Sequence, residues 1–318
     1  MIIKQEELHC IIIITKKKYY TKKRTEIEIR KRILGRNRKK QKKKPKKETE
    51  KTERGKQMAK RKETARVQQQ TCIAPGIFDM WIETSLAQDA KPGQFINIYP
   101  DDKSTLLPRP ISICEADSRQ NRLRVVYRTV GKGTNEFSGY HAGKDISILG
   151  TLGNGFPVEK ASGKTCFLMG GGIGIPPMLQ LAKALHEQGD CEVIIIVGYR
   201  DANLFLDEEL AKYGKVYIAT EDGSVGSKGN VMNAIEEKGL TADVIFACGP
   251  MPMLRAIKKF AEANDMEAYI SLEERMACGV GACLGCVCKT TKKDHHSQVN
   301  NARICTDGPV FEAREVDI

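Results

Sequence analysis

The chain has 318 residues and a formal net charge of +12, but this charge is unevenly distributed. Residues 1–57 hold 22 Lys and Arg against 7 Glu, whereas residues 58–318 hold 30 basic and 33 acidic residues. The basic character therefore belongs to the N-terminal segment and does not indicate that the body binds nucleic acid. A 41% hydrophobic fraction and 28 glycines exclude a fibrous or wholly disordered protein, and the body is long enough for two ordinary domains.

The N-terminal segment is a low-complexity run. Its basic clusters, such as Lys16–Lys18 and Lys22–Arg24, cannot bury enough apolar surface to fold. Three interpretations compete: a tail that binds nucleic acid or another anionic surface, a solvated linker, or a start codon assigned too early. We favour the third, because Met58 leads directly into structured sequence and the segment lacks an aromatic-and-basic recognition pattern. We therefore expect no nucleic-acid partner.

No membrane-spanning or export segment is expected. The longest apolar run near the N-terminus, Ile11–Ile14, is far shorter than the ~18–20 residues of a membrane helix, and it lacks a signal-peptide core. We therefore expect a cytoplasmic protein. Five of the eleven cysteines lie within Cys278–Cys305, and such clustering in an intracellular chain favours metal ligands over scattered disulfides.

Residues 58–160 are predicted to form an antiparallel β domain. Short β-rich runs are separated by turn signals such as Lys91–Gly93 and Gly150–Gly155, which is typical of an antiparallel barrel or sandwich. The predicted strands are Phe95–Tyr99, Ile111–Cys114, Leu123–Tyr127 and Asp145–Leu149.

From Lys164 the sequence alternates between strand and helix patterns. This alternation predicts a parallel, doubly wound α/β domain over residues 161–266, followed by a small Cys- and Gly-rich domain over residues 267–318 without clear periodicity. The predicted strands are Thr165–Met169, Glu192–Gly198, Val216–Thr220, Val244–Ala247 and Glu267–Leu272, and the predicted helices are Pro176–Gln188, Val231–Lys238 and Pro252–Asn264.

The most specific motif is a set of cysteines near the C-terminus. Cys278, Cys283 and Cys286 follow the spacing C-x4-C-x2-C, and Cys305 comes 19 residues later, which is the plant-type [2Fe-2S] pattern. Intervening glycines let the loop fold back so that its N–H groups can reach the sulfurs. A zinc knuckle is the alternative, but zinc sites prefer paired Cys-x2-Cys units and only one pair is present. We treat Cys288 as an extra thiol, because it is too close to Cys286 to ligate beside it.

A glycine-rich turn follows the first strand of the α/β domain. Gly170–Gly174 precedes a helix at Pro176 and can place backbone N–H groups at a pyrophosphate, although a tight strand–helix turn is the alternative. Cys248-Gly249-Pro250 ends a later strand, where α/β sheets bind ligands; Cys248 can equally be a small buried apolar residue.

The β domain carries a candidate flavin motif. Arg109-Pro110-Ile111-Ser112 combines a cation for a phosphate with a hydroxyl for a flavin ring. Val126-Tyr127-Arg128 and Gly131-Lys132-Gly133-Thr134 follow it. Judged alone, Tyr127 is as consistent with strand packing as with a ring contact.

The order of these motifs within residues 109–305 resembles the ferredoxin–NADP reductase superfamily. More narrowly, Glu273–Cys286 and Cys305–Phe311 resemble the electron-transfer subunit of NAD-dependent, type B dihydroorotate dehydrogenase. The resemblance covers about residues 58–318. The chain departs from the pattern in its basic tail, in Cys288 and in a polar insert at Lys292–Asn301.

The resemblance implies three cofactors: FAD in the β-barrel, NAD on the α/β domain and a [2Fe-2S] cluster at the C-terminus. The implied FAD contacts are Arg109, Pro110, Ile111, Ser112, Val126, Tyr127, Arg128, Gly133 and Thr134. The implied NAD contacts are Gly170, Gly171, Gly172, Gly174, Cys248, Gly249 and Pro250, with Cys248 near the nicotinamide. The implied cluster ligands are Cys278, Cys283, Cys286 and Cys305.

The resemblance also implies a role and a partner. Electrons would pass from an FMN-containing subunit that oxidises dihydroorotate, through the cluster and FAD, to NAD in pyrimidine biosynthesis, and the implied assembly is a heterotetramer of two subunits of each kind. The close alternative is the flavin subunit of an NADH-dependent ferredoxin–NADP reductase or a sulfide dehydrogenase. The alternative from another class is a nucleic-acid-binding protein acting through the basic tail.

Overall fold

The first six strands close into an antiparallel barrel. This computed structural model describes residues 60–293 and 298–318, so the interpretations of residues 1–57 lie outside the described residues. The barrel strands follow the spatial order β1-β2-β5-β4-β3-β6. They are β1 (Arg61–Ala74), β2 (Ile77–Glu83), β3 (Phe95–Tyr99), β4 (Arg109–Asp117), β5 (Arg122–Arg128) and β6 (Asp145–Leu152), and the helix α1 (Lys132–Phe137) lies between the last two.

Side chains along the barrel strands alternate between the interior and the outer face, and the inward-facing ones fill the barrel core. In β3, Ile96 and Ile98 are fully buried in the barrel core, while Phe95 belongs to a different apolar cluster on the outer face. The tight turn between β1 and β2 ends at Gly76, whose φ of +71° is a conformation that glycine adopts without steric cost. The antiparallel barrel predicted from the sequence is thereby confirmed.

The second half is a sheet covered by helices on both faces. Its parallel strands are β7 (Thr165–Gly171), β8 (Glu192–Tyr199), β9 (Lys215–Thr220), β10 (Ser227–Lys228), β11 (Val244–Cys248) and β12 (Glu267–Ser271). The helices are α2 (Pro176–Gln188), α3 (Asp207–Leu210), α4 (Val231–Lys238) and α5 (Met251–Ala263), and short 3₁₀ turns lie at Ser85–Gln88, Val158–Ala161, Gly172–Gly174 and Ala313–Glu315. Every residue of β11 is buried, as expected for a central strand of a two-sided sheet.

The C-terminal segment adds three short strands. β13 (Val287–Lys289) and β14 (Asn301–Arg303) form a separate two-stranded ladder, whereas β15 (Val310–Glu312) pairs antiparallel with β12 at the edge of the large sheet. The large sheet therefore has the order β10-β9-β8-β7-β11-β12-β15. Strands of three residues are too short to give a periodic pattern, which is why the sequence did not predict them.

None of the helices within residues 60–293 and 298–318 is long and apolar enough to span a membrane.

A buried arginine joins the barrel to the sheet domain. Arg124 of β5 is only 7% exposed, and its guanidinium donates to Asp79 in β2 at 2.8 Å and to Glu209 in α3 at 2.7 Å. Burial alone would lower the pKa of Arg124, but its hydrogen bonds with Glu209 and Asp79 reverse this and raise it. Lys183 of α2 forms a second link to Glu115 of β4 at 3.0 Å. These contacts fix how the two halves face each other.

We predict that Arg124→Leu lowers the free energy of unfolding by about 3–5 kcal/mol, the usual cost of removing one partner from a buried ion pair. The reason is that Asp79 would remain largely buried without its cation, while Glu115 would keep only Lys183 as a partner. Equilibrium urea unfolding measures the loss. The matched control is Arg66→Leu, because Arg66 pairs with Asp145 in solvent and its loss should matter much less. Equal losses in the two variants would contradict a special role for Arg124.

Candidate cofactor sites

A large cleft lies between the barrel, the sheet and the C-terminal segment. It has a volume of about 840 Å³, within the range typical of small-molecule and cofactor sites. The ends of β4 and β5 form one wall, and residues 271–276, at the end of β12 and just after it, form the opposite wall. Of the predicted FAD contacts, the lining includes Arg109, Pro110, Ile111, Ser112, Val126, Tyr127, Arg128 and Thr134.

Arg109 is held in place at the rim of this cleft. Its Nη1 donates to the carbonyl oxygen of Leu107 at 2.5 Å. A Cβ atom at Gly133 would lie 2.6 Å from Arg109 Nε, so only glycine lets the guanidinium lie against α1. Gly133 therefore acts by making room for Arg109 and is not itself part of the lining. A cation fixed at the mouth of a cavity is suited to bind a phosphate.

Thr134 and Tyr127 are both engaged by the protein itself. The Thr134 hydroxyl accepts from Val130 N at 2.9 Å and closes the start of α1. Tyr127 is 1% exposed, and its hydroxyl donates to Gln70 Oε1 at 2.9 Å while its ring stacks on Phe78. Burial raises the pKa of the Tyr127 hydroxyl. These contacts agree with the interpretation of Tyr127 as a residue that packs within its strand. Its direct contact with FAD stays a prediction.

A second cavity of about 370 Å³ lies over the glycine-rich turn. It is bordered by Gly171, Gly172 and Gly174, and by Gly249 and Pro250 at the end of β11. A Cβ atom at Gly174 would lie 2.3 Å from the carbonyl oxygen of Cys248, so this glycine allows the two turns to touch. The predicted turn and the Cys-Gly-Pro motif thus meet at the carboxyl ends of adjacent strands.

Gly170 and Cys248 lie beneath this cavity and do not line it. Gly170 packs against Ile175, and Cys248 is 1% exposed. Burial raises the pKa of the Cys248 thiol well above its usual range, so the thiol is neutral at physiological pH. The structure therefore packs Cys248 as a small core side chain, and its predicted position near the nicotinamide stays a prediction.

The two cavities share three lining residues, Arg128, Ile173 and Glu273. Desolvation raises the pKa of Glu273, and the nearby Arg128 opposes this shift. Glu273 begins the motif Glu273–Cys286, and the sequence pattern assigns it to no site. Its position two residues after β12 is the feature that could have indicated a site residue, because ligands bind at the carboxyl ends of parallel strands. The shared wall makes the two cavities adjoining sites.

The cysteine loop folds so that backbone N–H groups surround its sulfurs. Val280 N and Ala282 N lie 3.4 and 3.3 Å from Cys278 Sγ, and Gly285 N lies 3.4 Å from Cys283 Sγ. Positive φ angles at Gly279 and Gly281, +68° and +80°, allow this path. Burial would raise the pKa of Cys278, but the N–H groups of Val280 and Cys283 lower it to about 6. The loop therefore favours thiolate, the form that binds metal.

The four predicted ligands lie near enough to influence one another's ionisation. Cys283 helps to lower the pKa of Cys278, whereas burial and Cys286 raise the pKa of Cys305 to about 12. Among the described residues no group of three or more His, Cys, Asp or Glu is arranged to hold one metal ion. A [2Fe-2S] cluster takes two cysteine thiolates on each iron, and the four cysteines supply that number.

Cys288 lies outside this arrangement. It faces Ala302 across the β13–β14 ladder, and its side chain packs against the apolar core. Burial raises the pKa of its thiol, which disfavours the thiolate. The insert Lys292–Asn301 begins after β13 and ends at the first residue of β14, at the end of the ladder opposite Cys286 and Ile304; its residues 294–297 lie outside the described part.

The chain is similar to known proteins over both its α/β domain and its C-terminal segment. Residues 273–317 match the model for the iron-sulfur cluster binding domain of dihydroorotate dehydrogenase B, and residues 168–259 match that of the oxidoreductase NAD-binding domain. The chain is 42% identical over 260 residues to the dihydroorotate dehydrogenase B (NAD(+)) electron transfer subunit of Bacillus velezensis, covering 80% of this chain and 99% of that protein. The corresponding protein of Lysinibacillus sphaericus is 41% identical, with 79% and 96% covered.

Among solved structures, the chain is similar to an NADH-dependent reduced ferredoxin–NADP oxidoreductase, with a TM-score of 0.71 and 27% identity over 80% of this chain and 89% of that chain. The resemblance inferred from the motifs is thereby confirmed. The chain belongs to the family of electron-transfer subunits of NAD-dependent dihydroorotate dehydrogenase B.

Proposed function

We propose that this chain carries electrons from a dihydroorotate-oxidising, FMN-containing subunit to NAD. One observation supports this route above all others. Residues 271–276 line the large cleft, Glu273 borders both cavities, and Cys278 follows Met276 by two residues. The large cleft, the smaller cavity and the cysteine loop therefore adjoin one short segment of the chain. FAD supplies the required chemistry when bound, because flavin exchanges hydride with nicotinamide and single electrons with an iron–sulfur cluster.

FAD is proposed to occupy the large cleft. Arg109, bonded to the Leu107 carbonyl and with room left by Gly133, would bind its phosphates, and Ser112 on the same strand is the hydroxyl that would reach the ring. The remaining proposed contacts are Pro110, Ile111, Val126, Tyr127, Arg128, Gly133 and Thr134.

NAD is proposed to lie over the glycine-rich turn in the smaller cavity. Gly171, Gly172 and Gly174 would leave room for its pyrophosphate, and Gly249 and Pro250 would border the nicotinamide end. Gly170 and Cys248 support this site from below. The shared wall at Arg128, Ile173 and Glu273 is where the two cofactors would meet for hydride transfer.

The proposed domain limits are residues 58–160 for FAD, 161–266 for NAD and 267–318 for the cluster. The ranges matched by the two family models, 168–259 and 273–317, fall within the last two. The proposed partner is the FMN-containing catalytic subunit, in a heterotetramer of two subunits of each kind. The cysteine loop would face this partner, since Leu284 and Val280 expose 66% and 40% of their surfaces there.

The alternative of a ferredoxin–NADP reductase subunit has weaker support. The structure with that description is 27% identical to this chain, whereas the dihydroorotate dehydrogenase subunits are 42% and 41% identical. Nucleic-acid binding through residues 1–57 is a separate idea. A salt-dependent DNA-binding assay on the full chain and on a chain starting at Met58 tests it.

We predict that Cys305→Ser removes most of the iron and the visible absorption of the cluster, because Cys305 would supply the fourth thiolate beside Cys278, Cys283 and Cys286. Cys288→Ser is the matched control, since Cys288 packs against the apolar core, and it should retain both signals. Iron analysis and ultraviolet–visible spectra of the purified variants give the answer. Loss of the cluster in Cys288→Ser with retention in Cys305→Ser would reverse the assignment.

We predict that Arg109→Ala releases flavin on gel filtration while the iron content stays near normal, because the two cofactors bind separate parts of the chain. Arg109→Lys should retain less flavin than the native protein, since lysine keeps the charge but loses the planar fork. Arg119→Ala, at the exposed turn between β4 and β5, is the control and should retain flavin. Full flavin retention in Arg109→Ala would refute the proposed phosphate contact.

We predict that the isolated chain oxidises NADH with artificial acceptors but does not turn over dihydroorotate. Adding the FMN-containing subunit should restore electron transfer from dihydroorotate to NAD, and Cys283→Ser should abolish it. Cys72→Ser, which changes an exposed cysteine of β1, should leave the coupled activity intact. Reduction of NAD by dihydroorotate without the partner, or failure of the two proteins to associate on co-expression, would refute the proposed function.

A further inference from the structure

Asn97 lies at the centre of β3 and faces away from the barrel interior. Its neighbours Ile96 and Ile98 fill the barrel core, whereas Phe95 and Tyr99, on the same face as Asn97, contact a different apolar cluster. That cluster contains Cys286 and Cys305. The outer face of β3 is therefore the surface on which the C-terminal cysteine segment packs.

The side-chain amide of Asn97 is fully buried and unsatisfied. The residue is 0% exposed, and neither Nδ2 nor Oδ1 has a hydrogen-bond partner among the described residues. Nearly all buried polar atoms in proteins have a partner, so an orphaned amide needs a specific explanation. An apolar residue would be the expected choice at this position if packing were its only role.

The cysteine loop passes directly over this amide. A Cβ atom at Gly279 would lie 2.4 Å from Asn97 Nδ2 and 3.0 Å from Leu152 Cδ1. Only glycine therefore allows the loop to approach the barrel this closely. Because Gly279 follows Cys278 in the chain, the free amide of Asn97 lies beside the first predicted cluster ligand.

We propose that Asn97 donates a hydrogen bond from Nδ2 to a sulfur atom of the [2Fe-2S] cluster on the Cys278 side. This inference rests on the proposed function, because it requires the cluster to be bound by the cysteine loop. The cluster sulfur supplies the partner that the buried amide lacks. Asn97 is thus a positioning residue, which ties the cluster to the strand paired with Arg109 and Pro110 in the flavin motif.

This hydrogen bond has a measurable consequence. Hydrogen bonds to the sulfurs of an iron–sulfur cluster help to set its reduction potential, since they stabilise the added negative charge of the reduced form. Removing the donor should make the cluster harder to reduce. Packing alone would predict no change of potential.

The test is Asn97→Leu in the assembled, cofactor-loaded protein, with the cluster potential measured by redox titration followed by electron paramagnetic resonance. We expect the midpoint potential of the cluster to become more negative by about 59 mV, which corresponds to a tenfold change in the one-electron equilibrium constant. Tyr99→Phe is the matched control on the same face of β3 and should leave the midpoint unchanged. An unchanged midpoint in Asn97→Leu would overturn the proposal.

A second measurement requires no substitution. Native protein labelled with ¹⁵N only in asparagine side chains should show a ¹⁵N hyperfine coupling to the reduced cluster in pulsed electron paramagnetic resonance. A reduced cluster without this coupling overturns the role of Asn97 and leaves the proposed function standing. Absence of any [2Fe-2S] signal in iron-replete protein instead refutes the proposed function itself.

Discussion

The antiparallel pairing of β12 with β15 is the interaction on which the cofactor sites depend. Three residue pairs form it, and Ser271 lies opposite Val310. Because the strands run in opposite directions, the chain that leaves β12 and the chain that enters β15 emerge at the same edge of the sheet. Cys278 follows Ser271 by seven residues, and Cys305 precedes Val310 by five. A short ladder thus brings two distant cysteine segments to one place.

The same edge is anchored to the barrel. Asn154 N, just after β6, donates to the carbonyl oxygen of Gly308 at 2.6 Å, and Gly153 approaches Pro309 so closely that a Cβ atom would lie 2.4 Å from its ring. Arg124 joins the barrel to the sheet domain from the other side through Glu209. Barrel, sheet and cysteine loop are therefore mutually fixed. Electron transfer through three cofactors requires such fixed spacing, because a small change of geometry at a reacting site costs rate steeply.

The sequence predicted the parts of this arrangement that depend on local pattern. The limits of β3, α2 and α4 agree with the structure to the residue, because their apolar spacing and flanking turn residues are local signals. The helix predicted over Pro252–Asn264 begins one residue earlier, at Met251. The cysteine spacing indicated the cluster loop without any knowledge of the fold.

Features that arise from long-range packing could not be predicted in the same way. β1 is mostly exposed and polar, so it lacks the apolar signal of the other barrel strands. Glu273 and Asn97 are significant only because distant segments pack beside them, and a single polar residue in the run Phe95–Tyr99 gives no sign of which partner it faces. The close approach of Gly174 to the Cys248 carbonyl likewise joins two turns that are far apart in the sequence.

In the proposed route, the cysteine loop lies between the partner subunit and the flavin cleft. The most direct test mixes the complete complex with dihydroorotate in the absence of NAD and follows the cluster by rapid-freeze electron paramagnetic resonance. We expect the signal of the reduced cluster to form at least as fast as the complex turns over. A cluster that stays oxidised, or that is reduced more slowly than turnover while NAD is still reduced on its addition, would contradict it.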